Sequence, residues 1–458
     1  MQNAIPTVHG RRFVGSLPDM RKDRIALMKR IPGAYGDIAA LELGLFGAVV
    51  VSGSELCHEV LVAKADAFKK GMGLSVFGRP VLGDGLLTSE QDVHRRNRRL
   101  VSPAFVHSRI AGYARTIAEC VEEHAERLAG ERFVDLSAET MRLTLDVIGR
   151  TMFGTDLGPD TRAIGDALTR TLDHINTELL SYVPMPPKVP TLANLRQQKN
   201  VRELDDIVYR LIRERRAANR DTGDFLSMLL AARDAEDGGA LDDEQVRDEV
   251  MTILIAGHET TANGLAWAFG LLDRNPDVLR RLEAESDAVL AGRRATIEDL
   301  PRLPCAARVF KEALRMYPPV YMVARRATRD VVLGTYPIAR GTLILVNIVG
   351  MHHRADYFPS PDDFVPDRFA PEAERALPRH AFLPFSAGPR VCIGNHFALM
   401  EGQIALAELA GRLRFELVDG RLPVAEPTLT LRPRGGVPVR VIRRDAFHER
   451  RSSEKMPS

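Results

Sequence analysis

Apolar residues recur at three- and four-residue intervals over most of the chain. From Leu136 to Met152 and from Val201 to Ala232 they are interleaved with charges, which predicts an amphipathic helix over each stretch. The run EQVRDEVMTILIAGHETTANGLAWAFGLLDRNP is apolar through its middle and predicts a buried helix, and NHFALMEGQIALAELAGRL predicts another helix near the C-terminus. Strand patterns are a minority and sit toward the two ends. Ile38 to Gly53 predicts a hairpin turning at Phe46-Gly47, Asp330 to Val349 predicts a second, and FELVDGRLPVAEPTLTLRPRGGVPVRVIR supplies further strands. Two stretches rich in glycine or proline, Gly71 to Gln91 and Ser181 to Leu195, predict irregular, mobile, partly apolar loops. The pattern is therefore mainly α with a smaller β-sheet region.

No internal repeat and no Gly/Ser linker divides the chain, so residues 1–446 are expected to form one domain and residues 447–458 a disordered charged tail. Of the 458 residues, 45% are hydrophobic, enough for a large core. Lys and Arg total 63 against 61 for Asp and Glu, a balance that gives no reason to expect nucleic acid or an anionic membrane surface as partner. No run reaches the 18 or so apolar residues of a membrane span, and the N-terminus lacks a basic segment followed by an apolar one. Neither a signal peptide nor a membrane anchor is expected, and a cytoplasmic protein follows. The four cysteines, Cys57, Cys120, Cys305 and Cys392, fit neither a disulfide framework nor a zinc pattern.

Cys392 stands apart through its neighbours, FSAGPRVCIG. A free cysteine can simply pack as a small hydrophobe. Here Gly388 and Gly394 allow a tight turn and close approach of a flat ligand, and Arg390 carries a charge suited to a carboxylate on that ligand. Backbone N–H groups in such a turn point at the sulfur and favour the thiolate, as does the N-terminus of the helix that follows.

Phe385, Gly388, Arg390, Cys392 and Gly394 together resemble the haem-ligand signature of the cytochrome P450 family, and further motifs stand in that family's order across nearly the whole chain. The resemblance implies a triangular, mostly α fold holding haem b, with Cys392 as axial ligand of the iron and Phe385, Gly388, Arg390 and Gly394 around it. Ala-Gly-His-Glu-Thr-Thr, residues 256–261, is poor helix chemistry in an apolar helix, because a Thr hydroxyl can bond the carbonyl one turn back and open a groove. A small-residue helix contact is the plain alternative. The resemblance makes this the oxygen-binding segment, with Thr260 and Glu259 as the alcohol and acid that deliver protons to bound dioxygen. No role is assigned to His258.

Glu312 and Arg315 in EALR share a helix face and read by themselves as an ordinary ion pair. The resemblance joins them to Arg368 as a structural lock on the haem side. DVHRRNRRLVSPAF places His94 and Arg98 four residues apart, and MVARRATRD supplies Arg325; the resemblance assigns all three to haem propionates, with Arg326 pointing elsewhere. The other arginines of HRRNRRL suit a positive surface for an acidic electron carrier.

A thiolate ligand pushes electron density toward O–O cleavage, so the resemblance implies monooxygenation with O2 as cosubstrate. No flavin or iron–sulfur segment follows Cys392, so electrons from NAD(P)H are expected through a ferredoxin or flavodoxin and its reductase. By resemblance the substrate pocket draws on Leu86, Leu87, the segment from Val183 to Pro190, Ala256, Val320, Tyr321, Met322 and Leu429. These are mostly apolar, and a lipophilic small molecule such as a fatty acid, terpenoid or macrolide is expected. Phrases such as LIAGHETTANGLAW are similar to the branch with long-chain fatty-acid hydroxylases. Two rivals stay open: a peroxide-driven or isomerising haem-thiolate enzyme, and a non-catalytic haem sensor or carrier.

Overall fold

Asp242 starts the longest helix of the chain. Its carboxylate accepts the Gln245 N–H at 2.8 Å while the Gln245 side chain accepts the Asp242 N–H at 3.1 Å, a reciprocal cap that satisfies two backbone donors. The helix, Asp243–Arg274, carries an unbroken apolar sequence through its middle, and every residue from Val246 to Leu272 is buried except Ala256, Gly257 and Thr260. Around it pack Leu136–Met152, Leu192–Ala218, Pro304–Met316 and Asn395–Arg412. A computed structural model describes residues 3–444, apart from 12, 45, 72, 157–159, 180, 182–184, 219–221 and 234–237. The expected tail, 447–458, and residues 183–184 of the expected pocket segment lie outside the described residues.

The helix predicted from Leu136 to Met152 has those bounds, with Asp135 capping it through the Ser137 N–H. The one predicted from Val201 to Ala232 is two helices, Leu192–Ala218 and Phe225–Ala231. Asp224 accounts for the second start, because its carboxylate accepts the Ser227 N–H at 2.8 Å. The first of these helices begins inside the stretch predicted to be irregular, at Leu192.

A five-stranded sheet has the order Ile38–Leu43, Phe46–Val51, Leu343–Val346, Val323–Ala327, Phe68–Lys70. Its first hairpin turns through Gly44 (φ +66°), not at Phe46-Gly47, which already pair with Leu43 and Glu42. The second predicted hairpin is also revised. Only Val331–Leu333 and Tyr336–Ile338 pair with each other, whereas Leu343–Val346 crosses into the large sheet, parallel to Phe46–Val51 and antiparallel to Val323–Ala327. The near-continuous apolar sequences AVVV and LILV suit that central, doubly covered position. Near the C-terminus, Ala425–Pro427 and Leu431–Pro433 form a hairpin against the central helix. No described helix is long and apolar enough to cross a membrane.

Candidate active site

The loop before Asn395–Arg412 is shaped by two left-handed residues, Ser386 (φ +58°) and Gly388 (φ +73°). Gly388 is required twice over: a Cβ there would sit 1.9 Å from the Leu61 carbonyl oxygen. Gly394 carries no such demand, having an ordinary φ of −91°. The turn closes with the Val391 N–H donating to the Gly388 carbonyl and the Cys392 N–H to the Phe385 carbonyl, both at 3.0 Å. The Cys392 side chain is solvent-accessible, yet protein surrounds it closely enough that burial raises its thiol pKa; the Gly394 N–H and the Arg98 guanidinium act against that rise. Both observations hold together if the sulfur faces an internal space. The stretch Ala256, Gly257 and Thr260 is the part of the central helix left open in the same way.

On that helix the Thr260 hydroxyl donates to the Ala256 carbonyl at 2.8 Å, the bond one turn back expected from the sequence. Glu259 is buried and turns toward the C-terminal hairpin, where it accepts from the Thr430 hydroxyl at 2.8 Å; Asn263 in turn donates to Thr430 at 3.3 Å. Burial raises the Glu259 pKa, opposed by the Thr430 bond and by Arg432. Arg432 pairs with Asp173 at 2.8 Å and with Glu426 at 2.9 Å, which joins the hairpin to helix Asp160–Leu179. The His258 carbonyl accepts from the Thr144 hydroxyl of Leu136–Met152 at 2.9 Å, and burial holds its ring neutral, with a pKa lowered to about 4.

A basic cluster flanks the sulfur. His94 and Arg98 lie on helix Gln91–Val101, Arg325 on the large sheet and Arg390 in the cysteine loop. Arg98 donates to the Val391 carbonyl at 2.8 Å, beside Cys392. Lys70, which drew no attention in the sequence, joins them from the edge strand. Burial first, then repulsion by Lys70, Arg390, Arg98 and Arg325, pushes His94 down to about 3, so its imidazole is neutral. Burial and Arg390 likewise lower Lys70 to about 7 and Arg325 to about 10. Glu90 partly compensates: it pairs with Arg390 and accepts the Lys70 N–H at 2.6 Å. Arg390, expected to meet a ligand carboxylate, thus has a protein partner. The cluster still crowds buried cations that mutual repulsion disfavours, and a dianionic ligand would turn that repulsion into attraction.

Below the loop, Arg315 forks onto Glu312 with two bonds of 2.8 Å, and neither side chain has any exposed surface. Arg368 reaches the same carboxylate at 3.3 Å, and the Val365 N–H donates to it at 2.9 Å. Sequence reasoning missed what comes next. Arg315 also donates to the His352 carbonyl at 2.9 Å, the His352 Nδ1–H donates back to the Arg315 carbonyl at 3.2 Å, and His352 Nε2 accepts the Leu383 N–H at 2.9 Å. One neutral imidazole therefore ties the ion-pair core to the chain entering the cysteine loop. Glu401, on the helix after Cys392, is buried beside Thr261 of the central helix; among the described residues its oxygens meet no group in full hydrogen-bond geometry, and burial, opposed by the Thr261 side chain, raises its pKa to about 8.

The family model described as cytochrome P450 matches residues 6–437. The chain belongs to the cytochrome P450 family. Cyclooctatin synthase of Streptomyces melanosporofaciens is 37% identical over 414 residues, covering 90% of each chain. Pentalenene oxygenase of Streptomyces avermitilis is 34% identical over 403 residues, 87% of each. Leukotriene-B4 omega-hydroxylase 3 of Mus musculus is 31% identical over 448 residues, 90% of this chain and 84% of that protein. This P450 is an oxidoreductase of the monooxygenase type acting on a lipophilic small molecule, and its family implies haem and dioxygen. The residues present fit haem: the accessible sulfur, the partly open Ala256 and Thr260 in an otherwise buried helix and the surplus of crowded cations suit a flat ring with one thiolate ligand and two carboxylates.

The expected pocket residues divide. Leu87, Ala256, Met322 and Leu429 are partly open and Val320 is exposed, whereas Leu86 is buried. Tyr321 is a correction. Its ring is buried in an apolar cluster against which Met322 also packs, and its hydroxyl bonds Arg24 at 2.5 Å and the Thr428 carbonyl at 2.8 Å, so both polar and apolar parts of the side chain are engaged within the protein.

Proposed function

We propose that this P450 oxygenates a terpenoid, with Cys392 as the iron ligand and Thr260 and Glu259 as the groups that handle protons. The observation carrying this reading is the accessible Cys392 sulfur deep in the protein, matched by the opening at Ala256, Gly257 and Thr260 in a helix otherwise buried from Val246 to Leu272. The terpenoid class is supported by two relatives named for cyclooctatin and pentalenene chemistry and by the apolar Leu87, Met322 and Leu429.

Haem supplies thiolate-supported activation of dioxygen when bound. Lys70, His94, Arg98 and Arg325 would hold its carboxylates, while Phe385 and Gly388 shape the turn presenting Cys392. The chain's remaining task is to move protons without admitting bulk water. The Thr260 hydroxyl, anchored on the Ala256 carbonyl, fixes a donor position in the opened part of the helix. Glu259 holds a proton readily because burial raises its pKa, and its Thr430 contact leads toward the Arg432–Asp173 pair, whose aspartate is partly exposed. Rotation of the Glu259 side chain from Thr430 toward Thr260 would carry a proton inward.

A ferredoxin or flavodoxin with its NAD(P)H-dependent reductase supplies electrons in this reading, docking against the exposed Arg95 and Arg99 of helix Gln91–Val101, and the cytoplasm is the setting that keeps such carriers reduced. Residues 1–446 act as one haem domain.

The reduced, carbon-monoxide-bound absorption spectrum tests the core of this reading. A strongly red-shifted Soret band that vanishes in Cys392→Ser supports thiolate ligation; a spectrum of the imidazole-ligated kind removes Cys392 and the oxygenase reading together.

A further inference from the structure

Leu86 is held at its two backbone groups by a buried acid and a buried base. Its N–H donates to Glu249 Oε2 at 3.1 Å, and its carbonyl accepts from Lys70 Nζ at 3.0 Å. Neither charged residue is at the surface, Glu249 being 1% and Lys70 6% exposed, and they belong to different elements, the central helix and the edge strand of the large sheet. Lys70 also bonds the Ser89 carbonyl at 2.7 Å. The same segment is pinned again two residues earlier: the Asp84 N–H donates to Asp248 at 2.7 Å and the Asp84 carbonyl accepts from Asn97 at 2.9 Å. Gly83, at φ +53°, leaves room for this, since a Cβ there would lie 2.0 Å from the Asp248 carboxylate.

The sequence predicts an irregular, mobile glycine-rich stretch from Gly71 to Gln91; the structure instead has helical turns over Gly73–Gly78 and Arg79–Leu82, followed by a short loop strapped by buried ionisable side chains. Apolar contacts alone let a loop slide over a pocket, whereas hydrogen bonds from fixed buried groups set its register to a fraction of an ångström. A buried carboxylate is costly unless bonded, and burial does push Glu249 up to about 7 against the opposing Leu86 N–H, Asn97 and Lys70. Leu87, the next residue, is partly open and packs against the main apolar cluster. Lys70 also lies in the basic cluster with Arg390 and Arg325, so the roof is registered to a residue that would help hold the haem carboxylates.

We propose that Glu249 is a positioning residue, fixing Leu86 and Leu87 over the pocket and thereby deciding which substrate carbon is presented for oxygenation. The choice of carbon rests on the oxygenase reading above; the fixing of the loop does not.

Amide hydrogen exchange in the haem-loaded full chain separates the two. In Glu249→Leu, exchange across residues 83–90 is expected to rise about tenfold or more, with exchange elsewhere and the carbon-monoxide spectrum unchanged. Glu249→Gln, whose amide oxygen can still accept the Leu86 N–H, is expected to restore protection to within about threefold. Pentalenene and dodecanoic acid serve as turnover probes: for whichever is oxidised, Glu249→Leu shifts the ratio of product regioisomers severalfold while kcat stays within about twofold. Wild-type exchange at 83–90 in Glu249→Leu, or an equal rise throughout the chain, overturns the positioning role. Loosened exchange with an unaltered product ratio overturns the control of regiochemistry. If no variant oxidises either probe, the lipophile reading loses support and exchange alone still decides the strap.

Discussion

Arg315 and Glu312 meet in a two-pronged ion pair with no exposed surface on either side chain, and the same arginine reaches three backbone carbonyls, those of His352, Pro361 and Asp363. One guanidinium thus gathers the helix Pro304–Met316 and the chain entering the cysteine loop. Removing the carboxylate in Glu312→Ala leaves Arg315 and Arg368 buried without compensation, at a cost of about 3–5 kcal/mol. The haem-to-protein ratio of the purified variant is expected to fall severalfold, with much of the chain insoluble. A wild-type ratio would contradict this.

Thr260→Ala removes the hydroxyl anchored on the Ala256 carbonyl and leaves the helix otherwise intact. Reductant and dioxygen should still be consumed, but product per reductant should fall about tenfold or more as hydrogen peroxide is released instead. The peroxide-to-product ratio reports it, and unchanged coupling would strip Thr260 of its proton role. Turnover with hydrogen peroxide alone that Thr260→Ala leaves unaffected would favour the peroxide-driven rival.

His352 predicts an acid limb. Its ordinary pKa is 6.5 and burial lowers it to about 3, so between those values the unfolded chain binds the extra proton. Stability contributed by the neutral ring is present above pH 6.5 and is lost as pH falls toward 3, at up to about 1.4 kcal/mol per pH unit. In His352→Asn the urea midpoint should start lower at pH 7, since the Leu383 and Arg315 bonds are disturbed, and decline less steeply to pH 5. Parallel curves would mean that His352 is not held neutral.

Glu401 has the reverse sign. Its folded pKa, about 8, lies above the ordinary 4.5, so the folded chain binds the extra proton between those values and stability falls as pH rises from 4.5 through 8. Glu401→Gln keeps the shape without the titration. Relative to wild type it should gain apparent stability at pH 9 compared with pH 5, by a few kcal/mol at most, read from thermal or urea midpoints at the two pH values.

What was legible in the sequence is what sits in contiguous residues. The loop around Cys392, the helix opening at Thr260 and the Glu312–Arg315 spacing each place their chemistry within one turn or one helix face. Lys70 and Glu90 were not legible, because their role arises where an edge strand and a distant loop meet Arg390, and a lysine in FKK carries no sign of that. Tyr321 was not legible for a related reason: its hydroxyl partners, Arg24 and the Thr428 carbonyl, lie hundreds and about a hundred residues away, and nothing in PVYM announces them. The helix predicted through Ala232 was broken by Asp224, whose cap competes with helix continuation. Strand partners were hardest, since LILV looks equally at home in a local hairpin or a distant sheet.

That distant pairing governs how the chain must be assembled. Val49 lies beside Ile344 and Val51 beside Val346 in a parallel ladder, across nearly three hundred residues of intervening chain. During synthesis the hairpin Ile38–Val51 emerges early and waits, its inner edge unpaired, until about three quarters of the protein has left the ribosome. Until then AVVV is an open edge of bare peptide groups and apolar side chains, able to pair with any strand it meets. The step limiting soluble yield is therefore expected to be the arrival of Leu343–Val346, so fragments ending before it should aggregate, and slowing translation after residue 51 should lengthen the hazard, whatever the stability of the finished protein.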